Sequence, residues 1–442
     1  MSSQPPFVAL PEDAVFAALL VVMLAALALS RDRVTAAAVA FGVALPLYEL
    51  PGSAWSWAPA LSLVTVAAVA LGVVAVAHGQ WGVVLERALG WRLLAVAAFL
   101  GWVTASASAA GASGASRYEL ARLVGATAIM VVVAVAVTSS RARQGLAAGL
   151  VAAMSLVSAV AVVQFAWGRF IWSIGRTSEP GYDYFIEVVP GIVRAAGVFH
   201  HPHKLGLFCA TATVMAAHLA GRSAARARRL LMAAGVLLVL GLGLSMTRSS
   251  VLGLAIGLVV LWIRWPVPRR WLVVGAVLLA LLLAVSVVRA PWFSPAPETT
   301  TSAGHRLIYW GAAARMAIDH PLLGVGLGNF GSRLHDYVAH LPPKIARMPE
   351  HRPHSFALGL AAETGLIGLG LFLLVCALTV TRLVHAEPAL ARFGLALLAL
   401  VLVHASFHNI VPDPLLWLVI GLCLAIGGSA DYPCEPQGSN IV

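Results

Sequence analysis

Four residues of this chain combine a reactive or charged side chain with a position at the edge of an apolar segment. They are Arg194 in VRAAGVFHHPHKLG, Arg248 in SMTRSSVLG, Arg306 in GHRLIYW, and His354, which opens a long apolar run. The planar guanidinium group of arginine forms paired hydrogen bonds with phosphate oxygens and keeps its charge when partly desolvated. Three arginines in one pocket could therefore neutralise a diphosphate, and a neutral imidazole could accept a proton from a hydroxyl group.

Each of these residues also has a simpler interpretation. An arginine at the end of a membrane helix often extends to the phospholipid headgroups, and a histidine can simply cap a helix beside water. Other histidines compete with His354, because His200, His201 and His203 form a dense group and His305 and His351 lie in a long polar stretch. The HHPH group could also be a metal cluster, although no carboxylate accompanies it. The sequence alone does not choose among these histidines.

Other common chemistries find less support in the residues. Ser249 and Ser250 lack the glycine pattern of a hydrolase nucleophile, and no strand precedes the glycines of 324–328, as a dinucleotide site requires. The four cysteines have no metal-type spacing. We therefore expect neither a metal ion nor a cofactor.

The elements that must position these residues are membrane helices. Of the 442 residues, 60% are hydrophobic and only 11% are charged, whereas soluble domains carry about 25% charged residues. The apolar blocks are long enough to span a bilayer core of about 30 Å, and they do not alternate as β-barrel strands do. The chain has a net charge of +11. Most of its basic residues lie in short loops between the apolar blocks, as the positive-inside rule predicts. We expect membrane lipids, and no nucleic acid, as partners.

Basic loops predict the orientation of the chain. Thirteen apolar blocks are candidate spans, and we favour about twelve true spans with both ends in the cytoplasm, so that one early block is re-entrant or interfacial. Arginine-rich loops near 141–143, 222–229, 264–270 and 382 should be cytoplasmic. Alternation then places 167–203, the turn at Arg248, 290–353 and the turn at His408 on the opposite face, which is the periplasm in a bacterial inner membrane.

This pattern divides the chain into four parts. Residues 1–290 form a transmembrane region that includes a periplasmic segment at about 167–203, and 291–353 form one large periplasmic loop with short helices. Residues 354–429 return to the membrane, and 430–442 form a cytoplasmic tail. Within the loop, Leu307–Ile318 is predicted to be an amphipathic helix and Gly324–Phe330 a glycine-rich turn.

Three stretches resemble a known family. His354-Ser355, nine residues and then Gly365-Leu-Ile-Gly368 match a histidine motif of bacterial O-antigen ligases, and Arg248 with Leu252 matches their arginine motif. HRLIYWGAAARMAIDHPLLGVGLGNF is similar to a pattern from the large loop of the same superfamily, which also contains O-antigen polymerases and O-linked oligosaccharyltransferases.

The resemblance implies a fold and a reaction. The fold would be an all-α, GT-C-like membrane protein with about twelve transmembrane helices. The reaction would be metal-independent, inverting glycosyl transfer from undecaprenyl-diphosphate-linked polysaccharide to the lipid A–core oligosaccharide, on the periplasmic side of the inner membrane. His354 would match the base, and Arg248 the arginine that holds the donor diphosphate. We also assign Arg194 and Arg306 to the diphosphate site, because both are positively charged and both are expected on the same side of the membrane as Arg248.

The acceptor and the reaction class leave alternatives open. Lys344, Arg347 and Arg352 could receive the anionic core oligosaccharide, or they could form an ordinary solvated surface. A polymerase would use the same donor with a second lipid-linked glycan. An oligosaccharyltransferase would modify protein, and many relatives of that type carry an extra C-terminal periplasmic region that is not expected here. A transporter would place charges in mid-membrane, where this sequence has almost none.

Overall fold

The structure, a computed structural model, describes most of the chain in separate ranges. These ranges are residues 21, 25, 27–48, 63–79, 90–167, 187–189, 192–263, 302–339 and 352–428. Helices dominate them, with a single two-stranded antiparallel hairpin in the described part of the chain, in which Glu187 pairs with Val193 and Val189 with Ile192.

The first half of the chain supplies five helices and the hairpin. They are α1 Arg33–Ala44, continued by a 3₁₀ turn at Leu45–Leu47, α2 Leu63–Ala77, α3 Gly90–Ala109, α4 Gly114–Ala136, α5 Ser140–Trp167, β1 Glu187–Val189 and β2 Ile192–Val193. The second half supplies eight more. They are α6 Pro202–Ala220, α7 Ala225–Leu244, α8 Arg248–Trp262, α9 Ser302–Asp319, α10 Phe330–Val338, α11 Phe356–Leu383, α12 Pro388–Ala405 and α13 Pro414–Gly428.

Several of these helices can cross a membrane. Within the described ranges, six are long and apolar enough, namely α3, α4, α5, α7, α11 and α12. Four shorter apolar helices, α1, α2, α8 and α13, accompany them. The prediction of a polytopic helical membrane protein is confirmed. The count of twelve spans, the GT-C-like arrangement and the four-part division stay predictions. One of the thirteen apolar blocks, at 270–289, lies outside the described residues.

Small residues bring the helices into close contact, as is usual in membranes where the hydrophobic effect does not drive helix association. The Cα of Gly149 in α5 lies so near α1 that an added Cβ would be 2.3 Å from the Val39 carbonyl oxygen. The core at the centre of the bundle is aromatic, with Trp417 ring-to-ring distances of 6.1 Å to both Phe99 and Phe372.

Helix α11 is broken at Gly365, so the long apolar run that His354 opens is not one continuous helix. Gly365 has φ 73° and ψ 178°, a conformation that L-residues rarely adopt, and a Cβ there would be 1.8 Å from the Leu322 carbonyl oxygen. Gly365 therefore makes room for the turn at 321–326.

The break frees backbone carbonyls that must find other donors. Val325 N donates to Ala362 O at 2.8 Å and Gly326 N to Glu363 O at 2.9 Å. Trp102 Nε1 of α3 donates to Thr364 O at 2.9 Å. The break, the glycine-rich turn and the end of α3 therefore form one hydrogen-bonded unit.

The two predicted elements of the large loop are confirmed. The amphipathic helix is α9, whose buried face includes Ile308, Tyr309 and Met316 and packs against Leu358 and Ala362 of α11. The glycine-rich turn follows it and leads into α10. Helix α9 thus runs beside the first half of α11, with Arg306 near one end and Asp319 at the other.

Candidate active site

His354 lies immediately before α11, in a strained backbone conformation. Its φ is +49°, a value uncommon for a residue with a Cβ and often found at functional sites. Ser355 follows as the N-cap, and its hydroxyl accepts a hydrogen bond from Leu358 N at 3.5 Å. The half-buried imidazole lies 6.2 Å, centroid to centroid, from the Tyr309 ring and 6.2 Å from the His408 ring.

Arg248 is the first residue of α8. Thr247 before it is extended, with φ −100° and ψ 95°, and offers no side-chain cap to the helix. The first N–H groups of a helix lack intrahelical partners and, with the helix dipole, favour an anion. The Arg248 side chain is exposed and forms no hydrogen bond or ion pair with the described part of the chain. A guanidinium group and a helix N-terminus thus coincide.

Arg194 is tied to the turn that precedes Arg248. Arg194 Nε donates to Ser245 O at 3.0 Å, and Arg194 Nη2 donates to Thr247 Oγ1 at 3.2 Å. The next residue, Ala195, donates its N–H to Leu244 O at 3.0 Å. These bonds fix the end of the β-hairpin segment against the α7–α8 connection, so two arginines far apart in sequence become neighbours.

Arg306 completes a group of three positive charges. Burial lowers the pKa of Arg194, and the charges of Arg306 and Arg248 lower it further. Burial likewise lowers the pKa of Arg306, as does the charge of Arg248. Holding like charges this close costs free energy that an anion between them would offset. Arg306 also makes no hydrogen bond or ion pair within the described ranges.

Two histidines that the sequence analysis did not select lie beside this group. His408 is packed 4.4 Å from the His203 ring and 4.5 Å from the His404 ring. Burial is the main cause that lowers the pKa of His408 well below its ordinary value, and the charges of His404, His354, Arg306 and Arg194 act in the same direction. His408 is therefore neutral near pH 7. His354, Arg306 and Arg194 therefore all lie close enough to His408 for their charges to act on it.

Serine hydroxyls connect the two histidines to the start of α8. Ser249 Oγ lies 3.2 Å from His408 Nε2 and 3.3 Å from His404 Nδ1, and Ser250 Oγ lies 3.0 Å from the same Nδ1. The Nε2 atom of the fully buried His404 has no hydrogen-bond partner in the described part of the chain. The only sequence signal for this pair was the spacing of four residues, which is that of neighbouring side chains on a helix, although α12 ends at Ala405, before His408.

Glycines explain why α8 and α12 approach closely enough for these bonds. A Cβ on Gly253 would lie 2.8 Å from Leu400 O, and one on Gly257 would lie 3.1 Å from Ala396 O. With Ser249 one turn earlier, α8 presents a stripe of small residues to α12. The stripe places the Ser249 hydroxyl against His404.

The HHPH group joins the site through ring packing. His203 lies 5.3 Å from His201, with an interplanar angle of 19°, and contacts His408 as described above. Over the ranges that the structure describes, no three histidine, cysteine, aspartate or glutamate side chains are placed to hold a metal ion.

The predicted acceptor residues have a different setting. Arg352 forms an ion pair with the buried Glu119 of α4, which also lies 3.4 Å from Arg122. Arg352 therefore helps to hold the entry to α11 in place. Lys344 and Arg347 lie outside the described residues, so the predicted acceptor role of these three residues stays a prediction.

Comparison with known proteins supports the sequence resemblance. Residues 233–373 match the family model described as O-antigen ligase. No curated protein matches the chain. The matched stretch contains Arg248, Arg306 and His354, whereas Arg194 and His408 lie outside it. The resemblance is confirmed over this stretch, and it supports a multi-pass membrane protein with O-antigen ligase or polymerase-type activity in general.

Proposed function

We propose that this protein transfers O-antigen polysaccharide from undecaprenyl diphosphate to a sugar hydroxyl of the lipid A–core oligosaccharide, at the periplasmic face of the inner membrane. The observation that carries the proposal is the meeting of Arg194, Arg248 and Arg306 beside the His354–His408 pair. Lipid diphosphates need concentrated positive charge, and sugar hydroxyls need a proton acceptor.

The arginines would bind the donor and stabilise the leaving group. When the anomeric carbon is attacked, its bond to the diphosphate oxygen breaks and the electron pair stays on that oxygen. Guanidinium groups and helix N–H groups placed where this charge develops lower the barrier without a proton. Arg248 is best suited to this role because it is exposed and begins α8. It would break no hydrogen bond or ion pair with the described part of the chain on binding a diphosphate.

His354 would act as the base. The acceptor hydroxyl loses its proton to the imidazole as its oxygen forms the new bond to the anomeric carbon, so attack from the face opposite the diphosphate inverts the configuration. The buried, neutral His408 would limit the orientations that the His354 ring can adopt.

An acceptor-choice assay tests the proposal. Purified protein in lipid vesicles is given lipid-linked polysaccharide together with lipid A–core, with a second lipid-linked glycan, or with a pilin-type protein. We expect only lipid A–core to gain mass, and we expect His354→Ala to abolish that gain.

Three other outcomes would contradict the proposal. Transfer to the second lipid-linked glycan alone would identify a polymerase, and transfer to protein alone would identify an oligosaccharyltransferase. A strict requirement for a divalent cation would contradict the metal-independent mechanism.

A further inference from the structure

A cavity of about 840 Å³ opens at the end of α9 that is remote from Arg306. The last turn of α9, the glycine-rich turn, the exposed face of α10 and the end of α3 line it. Arg306 and Asp319 lie near opposite ends of α9, about 20 Å apart at the helical rise per residue. The cavity is therefore separate from the arginine–histidine site, and its volume suits a ligand of several rings.

The charges that line the cavity are balanced. Arg333 forms an ion pair with Asp336 at 3.7 Å, and Tyr337 lines the same cavity as the carboxylate of Asp319. Arg315 adds a second guanidinium group to the wall. An anionic ligand would meet two carboxylates here and a cationic ligand two arginines, whereas an uncharged ligand rich in hydroxyl groups can use both as hydrogen-bond acceptors and donors.

The walls are preformed. The turn at one side is bonded to α11 through Val325 and Gly326, as described above, and Ser106 Oγ of α3 donates to Leu323 O at 2.7 Å. The opposite wall, α10, is anchored by the buried side chains of Phe330 and Leu334. Little ordering is needed when a ligand enters, which favours binding.

From this charge balance, separation and rigidity we propose that the cavity binds an uncharged saccharide segment of a glycan whose reacting end lies at the arginine–histidine site. The inference rests on the proposed function, because glycosyl transfer is what brings long saccharides to this face of the protein. Helix α9 would span the distance between the reacting end and the bound segment. The glycan has two possible sources, the donor polysaccharide and the acceptor oligosaccharide.

Steady-state kinetics of the full-length enzyme test the inference and separate the two sources. The variants are Asp319→Asn and Tyr337→Phe, with His335→Gln as a matched control, because His335 is exposed on α10 but does not line the cavity. Donors that carry one repeat unit are compared with donors that carry many. If the donor is the source, Asp319→Asn raises KM for the long donor about tenfold, the worth of one charged hydrogen bond, and Tyr337→Phe raises it by about threefold, the worth of a neutral one. Both variants leave kcat and the KM for the short donor unchanged.

If the acceptor is the source, the KM for lipid A–core rises by a similar factor and both donor KM values stay unchanged. Unchanged KM values for both donors and the acceptor, in variants that unfold at the wild-type temperature, would overturn the inference.

A binding measurement keeps this inference distinct from the proposed function. Calorimetry follows the binding of soluble glycan, released from the donor or from the core, to the wild-type protein and to Asp319→Asn. We expect heat of binding with the wild-type protein and a loss of affinity in the variant, even if no transfer is detected. Absence of binding by the wild-type protein would overturn the inference, whatever the transfer assay shows.

Discussion

The two ends of α9 differ in the balance of positive and negative side chains around them. Near Arg306, the described charges that act on the arginines are positive: Arg306 and Arg248 lower the pKa of Arg194, and Arg248 lowers that of Arg306. Near Asp319, each described arginine shares the cavity wall with a carboxylate. A site with an excess of one charge is suited to an ion of the opposite sign, whereas a balanced site is suited to hydroxyl groups. One helix would thus separate the proposed diphosphate site from the proposed glycan site.

The ends also differ in what holds them. The Arg306 end depends on side chains, such as the Arg194 bonds to Ser245 and Thr247. The Asp319 end depends on backbone hydrogen bonds between the glycine-rich turn and the broken α11. Substitution of a side chain should therefore alter chemistry at the first end, whereas a change of backbone conformation should alter stability at the second.

The largest expected effect is on the backbone end. Gly365→Ala places a Cβ 1.8 Å from Leu322 O at a residue with φ +73°, and we expect a loss of about 3 kcal/mol or more of unfolding free energy. Gly370 is the matched control, since a Cβ there meets nothing within 4 Å. Thermal unfolding in detergent measures both variants. Equal midpoints would mean that the break in α11 is not needed.

Next in size is the effect of Arg248→Lys, which keeps the charge and removes the planar fork. We expect kcat/KM for transfer to fall about 10- to 100-fold, because a point charge cannot form paired hydrogen bonds with a diphosphate. Arg226→Lys, at an exposed position on α7, is the control. Full activity of Arg248→Lys would reduce this arginine to a membrane anchor.

The smallest effect is a pH dependence of stability from His408. Burial lowers its pKa in the folded protein, so below the ordinary value of about 6.5 the unfolded chain binds a proton that the folded one does not. Stability therefore falls as the pH drops, by about 1 kcal/mol from pH 7.5 to 5.5 for this group. His408→Asn should lose less stability over that interval, as measured by denaturant unfolding. An equal loss in both proteins would place the ionisation elsewhere.

The sequence predicted much of this arrangement, for physical reasons. Long apolar blocks and basic loops predicted membrane helices, and arginines on the less basic face stood out as Arg194, Arg248 and Arg306. His404 and His408 were missed because their partners, Ser249 and Ser250, become neighbours only when α8 packs on α12. The break at Gly365 was missed because a positive φ leaves no trace in composition. The cavity could not be predicted from the sequence, because its walls come from α9, the glycine-rich turn and α10, which meet beside α3 only in the folded protein.

The central claim is that the arginines hold the donor and His354 performs the chemistry. The most direct test measures the equilibrium binding of undecaprenyl diphosphate and the rate of transfer in the wild-type protein, Arg248→Gln, Arg306→Gln and His354→Ala. We expect each arginine variant to bind about tenfold more weakly, and we expect His354→Ala to bind normally and transfer nothing. Unchanged binding in both arginine variants, or normal transfer by His354→Ala, would contradict the account.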